Sequence, residues 1–108
     1  MNSGEKGRRK RRDRLYIIAE ILEIAKDGTL KTQIMYKANL SFSQLNEYLN
    51  FLVGLNLLEC KKTGGKMVYK TTEKGMKYLD NYKEILQLLK NTKNNIKKLP
   101  INWINNLN

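Results

Sequence analysis

Apolar residues recur at helical spacing in the middle of the chain, where Leu45, Leu49 and Leu52 follow one another at intervals of four and three. This period places the three leucines on one side of an α-helix. Ser41 precedes them, and Gln44 stands three residues after Ser41, which is the spacing of a capping box at a helix N-terminus. The pattern therefore predicts a helix with one buried face and one polar face.

Two helices are predicted before it by the same reasoning. Leucine and isoleucine form a wide apolar stripe over residues 15–26, and Gly28 suits the left-handed position that follows a helix end. A short helix over residues 31–36 comes next, and Thr32 is well placed to cap it or to contact a phosphate. The short helix and the helix after Ser41 would form a helix-turn-helix.

A hairpin is predicted after these helices, because residues 57–62 and 66–71 read as two strands around a Gly-Gly turn. Pairing the strands about this turn places Cys60 opposite Tyr69 on a mostly apolar face. Three lysines then point outward at the tip: Lys61, Lys62 and Lys66.

A long helix follows, beginning after Thr72 and continuing to about residue 99, where Pro100 stops it. At 1.5 Å per residue it would be roughly 40 Å long, more than a domain this small can cover. Its second half needs a partner, and a coiled-coil homodimer is the simplest one; a helix that folds back or frays is the alternative. The predicted dimer stripe is Tyr82, Ile85, Leu86, Leu89 and Ile96.

The last segment, residues 100–108, carries Ile101, Trp103, Ile104 and Leu107. Exposure of a tryptophan is unfavourable, so docking on the long helix or on the second subunit is expected, and a disordered end is the alternative.

The net charge says more about possible partners than the overall composition does. The 108 residues are 41% hydrophobic, as in an ordinary soluble domain, but 21 Lys and Arg against 10 Asp and Glu give a formal charge of +11. Such an excess is the electrostatic footprint expected for a nucleic-acid partner or an anionic surface. The first 14 residues are polar and basic, and we predict a disordered arm that lies on phosphates or enters a minor groove, with a solvated tail as the alternative. Its cations are Lys6, Arg8, Arg9, Lys10, Arg11, Arg12 and Arg14.

Several function classes are disfavoured by the residues present. One cysteine and no histidine leave no intrachain disulfide, no zinc cluster and no His-based catalytic triad. No pair of carboxylates stands out, so we predict neither an enzyme nor a cofactor. The longest apolar run near the N-terminus is far too short for a membrane span. We expect a cytoplasmic, nucleoid-associated protein without a membrane partner.

The order of elements, mainly α with a small β-hairpin, resembles a winged helix-turn-helix followed by a long C-terminal dimerisation helix. Over residues 15–98 the chain is similar to a small archaeal winged-helix family whose members include the ten-kilodalton chromatin proteins. The similarity rests on the segments KTQIMYKANLSFSQLNEYLNFLVGLNLL and TTEKGMKYLDNYKEI. It implies a homodimer joined by an antiparallel coiled coil, with a winged helix at each end that binds double-stranded DNA. The basic arm and the tail around Trp103 look like additions to that family pattern.

The expected organisation is a basic arm (1–14), a winged helix-turn-helix domain (15–72), a coiled-coil helix (73–99) and an apolar tail (100–108). The expected function is that of a DNA-binding chromatin protein or transcriptional regulator, in which the helix after Ser41 enters the major groove. A winged-helix module that binds another protein or RNA is the alternative. Candidate contacts to base edges or phosphates are Ser43, Gln44, Asn46, Glu47 and Asn50. Lys31, Thr32 and Lys37 would contact the backbone from the preceding helix, and the hairpin lysines would lie along the adjacent minor groove or its phosphates.

Overall fold

A computed structural model describes residues 12–90 of the chain. Its elements follow in the order α1 (Arg14–Ile24), β1 (Thr29–Leu30), α2 (Lys31–Ala38), α3 (Phe42–Gly54), β2 (Leu58–Thr63), β3 (Lys66–Thr71) and α4 (Glu73–Lys90). The predicted fold class is confirmed: a mainly helical winged helix-turn-helix followed by a long C-terminal helix. The arm cations before Arg12, the end of the predicted long helix with Ile96, and the predicted tail lie outside the described residues.

The sheet has three antiparallel strands in the order β1-β3-β2. The predicted hairpin register is confirmed, because Cys60 pairs with Tyr69 in β3. The turn is also as expected, with both glycines in the left-handed region at φ 57° and 79°. The short strand β1 was not predicted; it pairs Thr29 with Tyr69 and Leu30 with Val68, so that β3 is the central strand.

The capping box before α3 is confirmed. The hydroxyl of Ser41 accepts a hydrogen bond from the Gln44 N–H at 3.1 Å, and the Gln44 side-chain oxygen accepts from the Ser41 N–H at 3.0 Å. Thr72 begins α4 as predicted, since its hydroxyl accepts from the Gly75 N–H at 3.0 Å. At the N-terminus of α1 the carboxylate of Asp13 accepts a hydrogen bond from the Tyr16 N–H. Each of these side chains satisfies a backbone donor that the helix leaves unpaired.

The prediction that Thr32 caps α2 is wrong. The capping position is Leu30, whose backbone is extended (φ −87°, ψ 154°) because it also ends β1. The chain thus passes directly from strand to helix, and Thr32 already lies inside the first helical turn. The backbone N–H of Leu30 donates to the side-chain oxygen of Gln33, in the first turn of α2, at 3.3 Å. A side chain within the helix thus satisfies this donor.

The core lies between the helices and one face of the sheet. Its largest fully buried side chains are Ile21, Leu22, Ile34, Leu45, Leu52, Leu58 and Leu79. Thr71 ties the end of β3 to α1, because its N–H donates to the carbonyl of Ala25 at 3.0 Å and its hydroxyl donates to the carbonyl of Leu22 at 2.6 Å. The base of the hairpin is therefore fixed to the first helix by one backbone and one buried side-chain hydrogen bond.

The start of α4 lies directly against the chain that enters β2. A Cβ atom added to Gly75 would overlap the carbonyl oxygen of Leu57 and lie 2.6 Å from Cγ2 of Thr71. The same carbonyl accepts the Thr72 N–H at 3.1 Å, and the Thr72 hydroxyl donates to the Asn56 carbonyl at 2.7 Å. Only glycine fits at this crossing, which sets how closely α4 docks on the domain.

Candidate nucleic-acid interface

The outer face of α3 is polar, as the sequence predicts. Ser43, Gln44, Glu47 and Asn50 are exposed, and Asn46 is half-buried. The capping box orients Gln44 toward the start of its own helix and uses one acceptor position of its side-chain carbonyl. Its amide NH₂ group remains the natural donor to a base or a phosphate.

The residues proposed on α2 lie beside the start of α3. Thr32 and Lys37 are exposed, and Lys31 is half-buried with its Nζ 4.7 Å from the centre of the Phe42 ring. This cation–π contact holds a positive charge close to the N-terminus of α3, where the helix dipole already favours an anion. The corner of the helix-turn-helix is thus suited to a phosphate group.

Two aromatic side chains at this corner were not among the predicted site residues. Tyr36 is 87% exposed and Phe42 is 61% exposed. The helical period aligns Phe42 with the buried leucines of α3, so the sequence pattern favours its burial. In the structure Phe42 occupies the first turn of α3, where the helix extends past the edge of the core.

The hairpin forms the wing of the fold and presents its cations to solvent. Lys61, Lys62 and Lys66 are all exposed, as predicted. Lys70 is exposed as well and faces Glu59 across the strand pair. The predicted pairing of Cys60 with Tyr69 implies this Glu–Lys pair, but Lys70 is not among the predicted site residues.

Arg12 has a structural role that the basic composition of the arm did not reveal. Its guanidinium donates to the carbonyls of Ala38 at 2.6 Å and Asn39 at 3.0 Å, and to the Glu20 carboxylate at 3.0 Å. It thereby joins the start of α1 to the C-terminal end of α2. Arg14 is exposed and begins α1. Residues 12–14 of the predicted arm therefore belong to the folded domain, whereas Arg8, Arg9, Lys10 and Arg11 lie outside the described residues.

A groove of about 510 Å³ lies between α1 and α3. Its floor and walls are mainly apolar, and its edge carries one cation and one carboxylate. The lining residues are Leu15, Ile18, Tyr48, Phe51, Arg14, Gln44 and Glu47. Leu15 is 59% exposed and Phe51 is 53% exposed. Two of the predicted base-contact residues of α3 thus also border an apolar groove.

The first half of α4 packs on α1. The Tyr78 hydroxyl donates to the Leu15 carbonyl at 2.9 Å, and the rings of Tyr78 and Tyr82 stack with centroids 6.3 Å apart. Burial, followed by the electrostatic effects of Tyr82 and Asp13, raises the pKa of Tyr78 to about 12. Burial is also the largest cause of the raised pKa of Tyr82.

A salt bridge extends this contact toward the middle of α4. Lys83 lies 3.0 Å from Glu23, and its hydrogen bond is the largest cause of the lowered pKa of that carboxyl. Farther along α4 the apolar side chains are only partly covered. Tyr82, Leu86 and Leu89 are half-buried, and Ile85 is 54% exposed.

The described residues provide two observations on other kinds of site. Between Arg12 and Lys90 no helix is both long and apolar enough to cross a membrane. Over the same residues no group of three or more His, Cys, Asp and Glu side chains is placed to hold a metal ion.

Comparison with known sequences identifies relatives over most of the chain. The sequence profile of the winged helix-turn-helix family matches residues 11–97. The uncharacterized protein MJ0287 of Methanocaldococcus jannaschii is 34% identical over 89 residues, which cover 82% of this chain and 88% of that protein. The uncharacterized protein MJ0290 of the same organism is 38% identical over 80 residues, which cover 73% of this chain and only 36% of that longer protein.

Comparison with solved structures gives the same fold. The crystal structure of Sso10a-2, a DNA-binding protein from Sulfolobus solfataricus, matches with a TM-score of 0.70 over 81% of this chain and 92% of that one. The sequences are 24% identical, so this likeness shows the fold alone. From the profile match and the architecture, the chain belongs to the winged helix-turn-helix family.

Proposed function

We propose that this protein binds double-stranded DNA as a homodimer, with α3 in the major groove and the wing on the neighbouring backbone. The observation that carries the proposal is the combination of an exposed polar face on α3 with exposed lysines on the adjacent wing, in a chain of charge +11. The DNA-binding role of Sso10a-2, which shares this fold, supports the same conclusion.

Most of the affinity is expected to come from phosphate contacts. The polar face of α3 carries a single formal charge, that of Glu47, which repels phosphate unless it accepts a hydrogen bond from cytosine or pairs with a lysine. Cations lie instead on the wing, on α2 and in the N-terminal arm. The phosphate contacts would therefore hold the duplex, while the polar row of α3 sets the position of the protein on it.

Sequence preference is expected to be weak. No arginine occurs in α3, so the commonest bidentate contact to guanine is missing from this helix. Gln44, Asn46 and Asn50 can each contact adenine, which is a limited set for direct reading of a site. This chemistry favours an architectural role on DNA over recognition of a few promoters.

The wing can be tested by its effect on the salt dependence of binding. Each lysine that neutralises a phosphate contributes about 0.9 to the slope of log K against log salt. Changing Lys61, Lys62 and Lys66 together to Gln should lower that slope by about 2.7 per subunit. The charge-matched control changes Lys77, Lys83 and Lys90 of α4 to Gln and should leave the slope close to that of the unmodified protein.

Titrations on random, AT-rich and GC-rich duplexes at several salt concentrations give both the slope and the sequence preference. An unchanged slope in the wing variant would show that the wing does not contact phosphates. If the unmodified chain binds no duplex at low salt, the DNA proposal is wrong, and the protein-interaction or RNA-binding alternative takes its place.

The homodimer is proposed from the apolar surface of α4. Ile85 is more than half exposed, and it lies on the same side of the helix as Tyr82 and Leu89. Ile85→Asp would place a charge in the helix pair and should give a monomer in sedimentation equilibrium. Gln87→Asp adds the same charge to the other side of α4 and should leave a dimer. A dimer in both variants would place the interface elsewhere.

A further inference from the structure

The groove between α1 and α3 has a mainly apolar lining that the proposed DNA contacts do not explain. The geometry points to residues 101–107 of a second copy of this chain as its occupant, with Trp103 as the central side chain. This inference rests on the proposed homodimer, with its helices paired antiparallel as the family resemblance implies, and it adds a second contact between the subunits, away from the paired helices.

The chemistry of the groove favours an apolar and uncharged segment. Leu15 and Phe51 expose more than half of their surface there, while Arg14 and Glu47 at the edge carry opposite charges that cancel. The first 11 residues of the basic arm include no large apolar residue after Met1 and would leave the groove unfilled. Residues 101–107 carry no charge and supply two isoleucines, one leucine and the chain's single tryptophan.

The register of an antiparallel pair brings that segment to the groove. The predicted stripe runs from Tyr82 to Ile96, so its midpoint is Leu89. In a symmetric antiparallel pair centred on Leu89, residues at equal distances before and after Leu89 lie opposite each other. Pro100 comes eleven residues after Leu89 and Tyr78 eleven residues before it, so these two residues face each other. The Tyr78 hydroxyl is bonded to the carbonyl of Leu15, which lines the groove. In that pairing the partner's tail would leave the helix pair beside the groove.

The chain's own tail cannot reach the same groove if α4 continues to Leu99 as its sequence predicts. Leu99 would then lie roughly 32 Å along the helix from Tyr78, at 1.5 Å per residue. Trp103 follows four residues later, and a fully extended chain covers at most about 14 Å in that distance. Occupation of the groove in this geometry thus requires a second copy.

Trp103 reports on the docking because it is the only tryptophan in the sequence. In the full-length protein its fluorescence should be blue-shifted and protected from acrylamide relative to free N-acetyl-tryptophanamide. Phe51→Lys introduces a charge into the groove and should move the emission to that of the free indole; Leu15→Lys should do the same. Val53→Lys, two residues farther along α3 and outside the groove, is the matched control and should leave the emission unchanged.

Mixed dimers distinguish a partner's tail from the chain's own. Phe51→Lys chains, which retain Trp103, are refolded with an excess of Trp103→Phe chains, whose groove is intact. In the mixed dimer the remaining tryptophan faces an intact groove on the partner, so the blue shift should return. If the emission stays that of the free indole, the tail does not dock on the second copy and the inference is wrong.

Two other results would also overturn the inference. One is a tryptophan in the unmodified protein that is as exposed as the free indole. The other is a blue shift that survives both Phe51→Lys and Leu15→Lys, which would place the tail elsewhere. Duplex binding and sedimentation are measured on the same preparations, so that failure of the docking can be told from failure of the proposed function. A dimer that binds DNA but has a fully exposed tryptophan overturns the docking alone, and a docked dimer that binds no DNA overturns the DNA-binding function alone. A monomer would overturn both the docking and the proposed homodimer.

Discussion

Replacement of Gly75 by alanine should destabilise the domain, although alanine is the better helix former. Gly75 lies in the first turn of α4, where a Cβ atom would overlap the carbonyl oxygen of Leu57 and crowd Thr71. Gly54, the last residue of α3, offers the opposite case, because a Cβ there meets no atom within 4 Å. The two substitutions add the same methyl group to two helices and should have opposite effects.

The magnitude follows from the contacts. Forcing a methyl group into a packed site typically costs about 1–3 kcal/mol, and the obstacle at Gly75 is backbone, which cannot rotate away. If α4 moves outward, the 3.1 Å hydrogen bond from the Thr72 N–H to Leu57 lengthens, with a loss of about 1 kcal/mol. The higher helix propensity of alanine offsets about 1 kcal/mol. The net loss is about 1–3 kcal/mol, whereas Gly54→Ala should gain about 0.5–1 kcal/mol.

Urea denaturation followed by circular dichroism measures both changes, at one fixed protein concentration because association affects apparent stability. Each kcal/mol should move the melting temperature by roughly 4–8 °C in a domain of this size. A Gly75→Ala protein as stable as the unmodified one would refute the reasoning, since it would show that α4 does not have to approach Leu57 so closely. Gly54→Ala shows whether helix propensity acts as assumed in this protein.

Three further outcomes are expected. Arg12→Met should reduce stability by about 1–3 kcal/mol in urea titrations, because the carbonyls of Ala38 and Asn39 lose a charged donor, and an unchanged midpoint would contradict this. Ser41→Ala should cost about 1 kcal/mol through loss of the α3 cap, whereas Ser41→Asp should retain most of it. The pKa of Tyr78 in the folded protein is raised to about 12, above the value near 10 of a tyrosine in the unfolded chain. The neutral Tyr78 hydroxyl therefore makes its full contribution to folding stability below pH 10, and that contribution is lost as the pH rises toward 12. Tyr78→Phe should lose less stability than the unmodified protein between pH 9 and 11.5, and equal losses would contradict that linkage.

The sequence was sufficient for the elements whose signal is local. The Ser41 and Gln44 box, the Gly-Gly turn and its register, and the Thr72 start of α4 each depend on residues within a few positions of one another. Such signals reflect backbone geometry and hydrogen bonding that hold in any fold. The order of these elements then limits the architecture to a small set, and the family resemblance selects one of them.

Features that depend on distant parts of the chain were not accessible in this way. Strand β1 has two residues, too few for any period, and forms because β3 offers a free edge. Arg12 bonds to carbonyls 26 and 27 positions away, so it could not be separated from the arginines beside it. The groove requires the start of α1 to lie beside α3, and Phe42 is exposed because the core ends before the first turn of its helix.

Neutral groups cap three of the four helix N-termini in the described part of this strongly basic protein. Ser41, Thr72 and the Gln33 amide satisfy three helix N-termini, and Thr71 binds the carbonyls at the end of α1. Hydrogen bonds of this kind are little affected by ionic strength, and added salt screens the mutual repulsion of the excess cations. Added salt should therefore weaken DNA binding while it stabilises the folded domain slightly. A salt concentration that releases the protein from DNA should leave the domain folded. Binding and release can then be repeated without denaturing the protein.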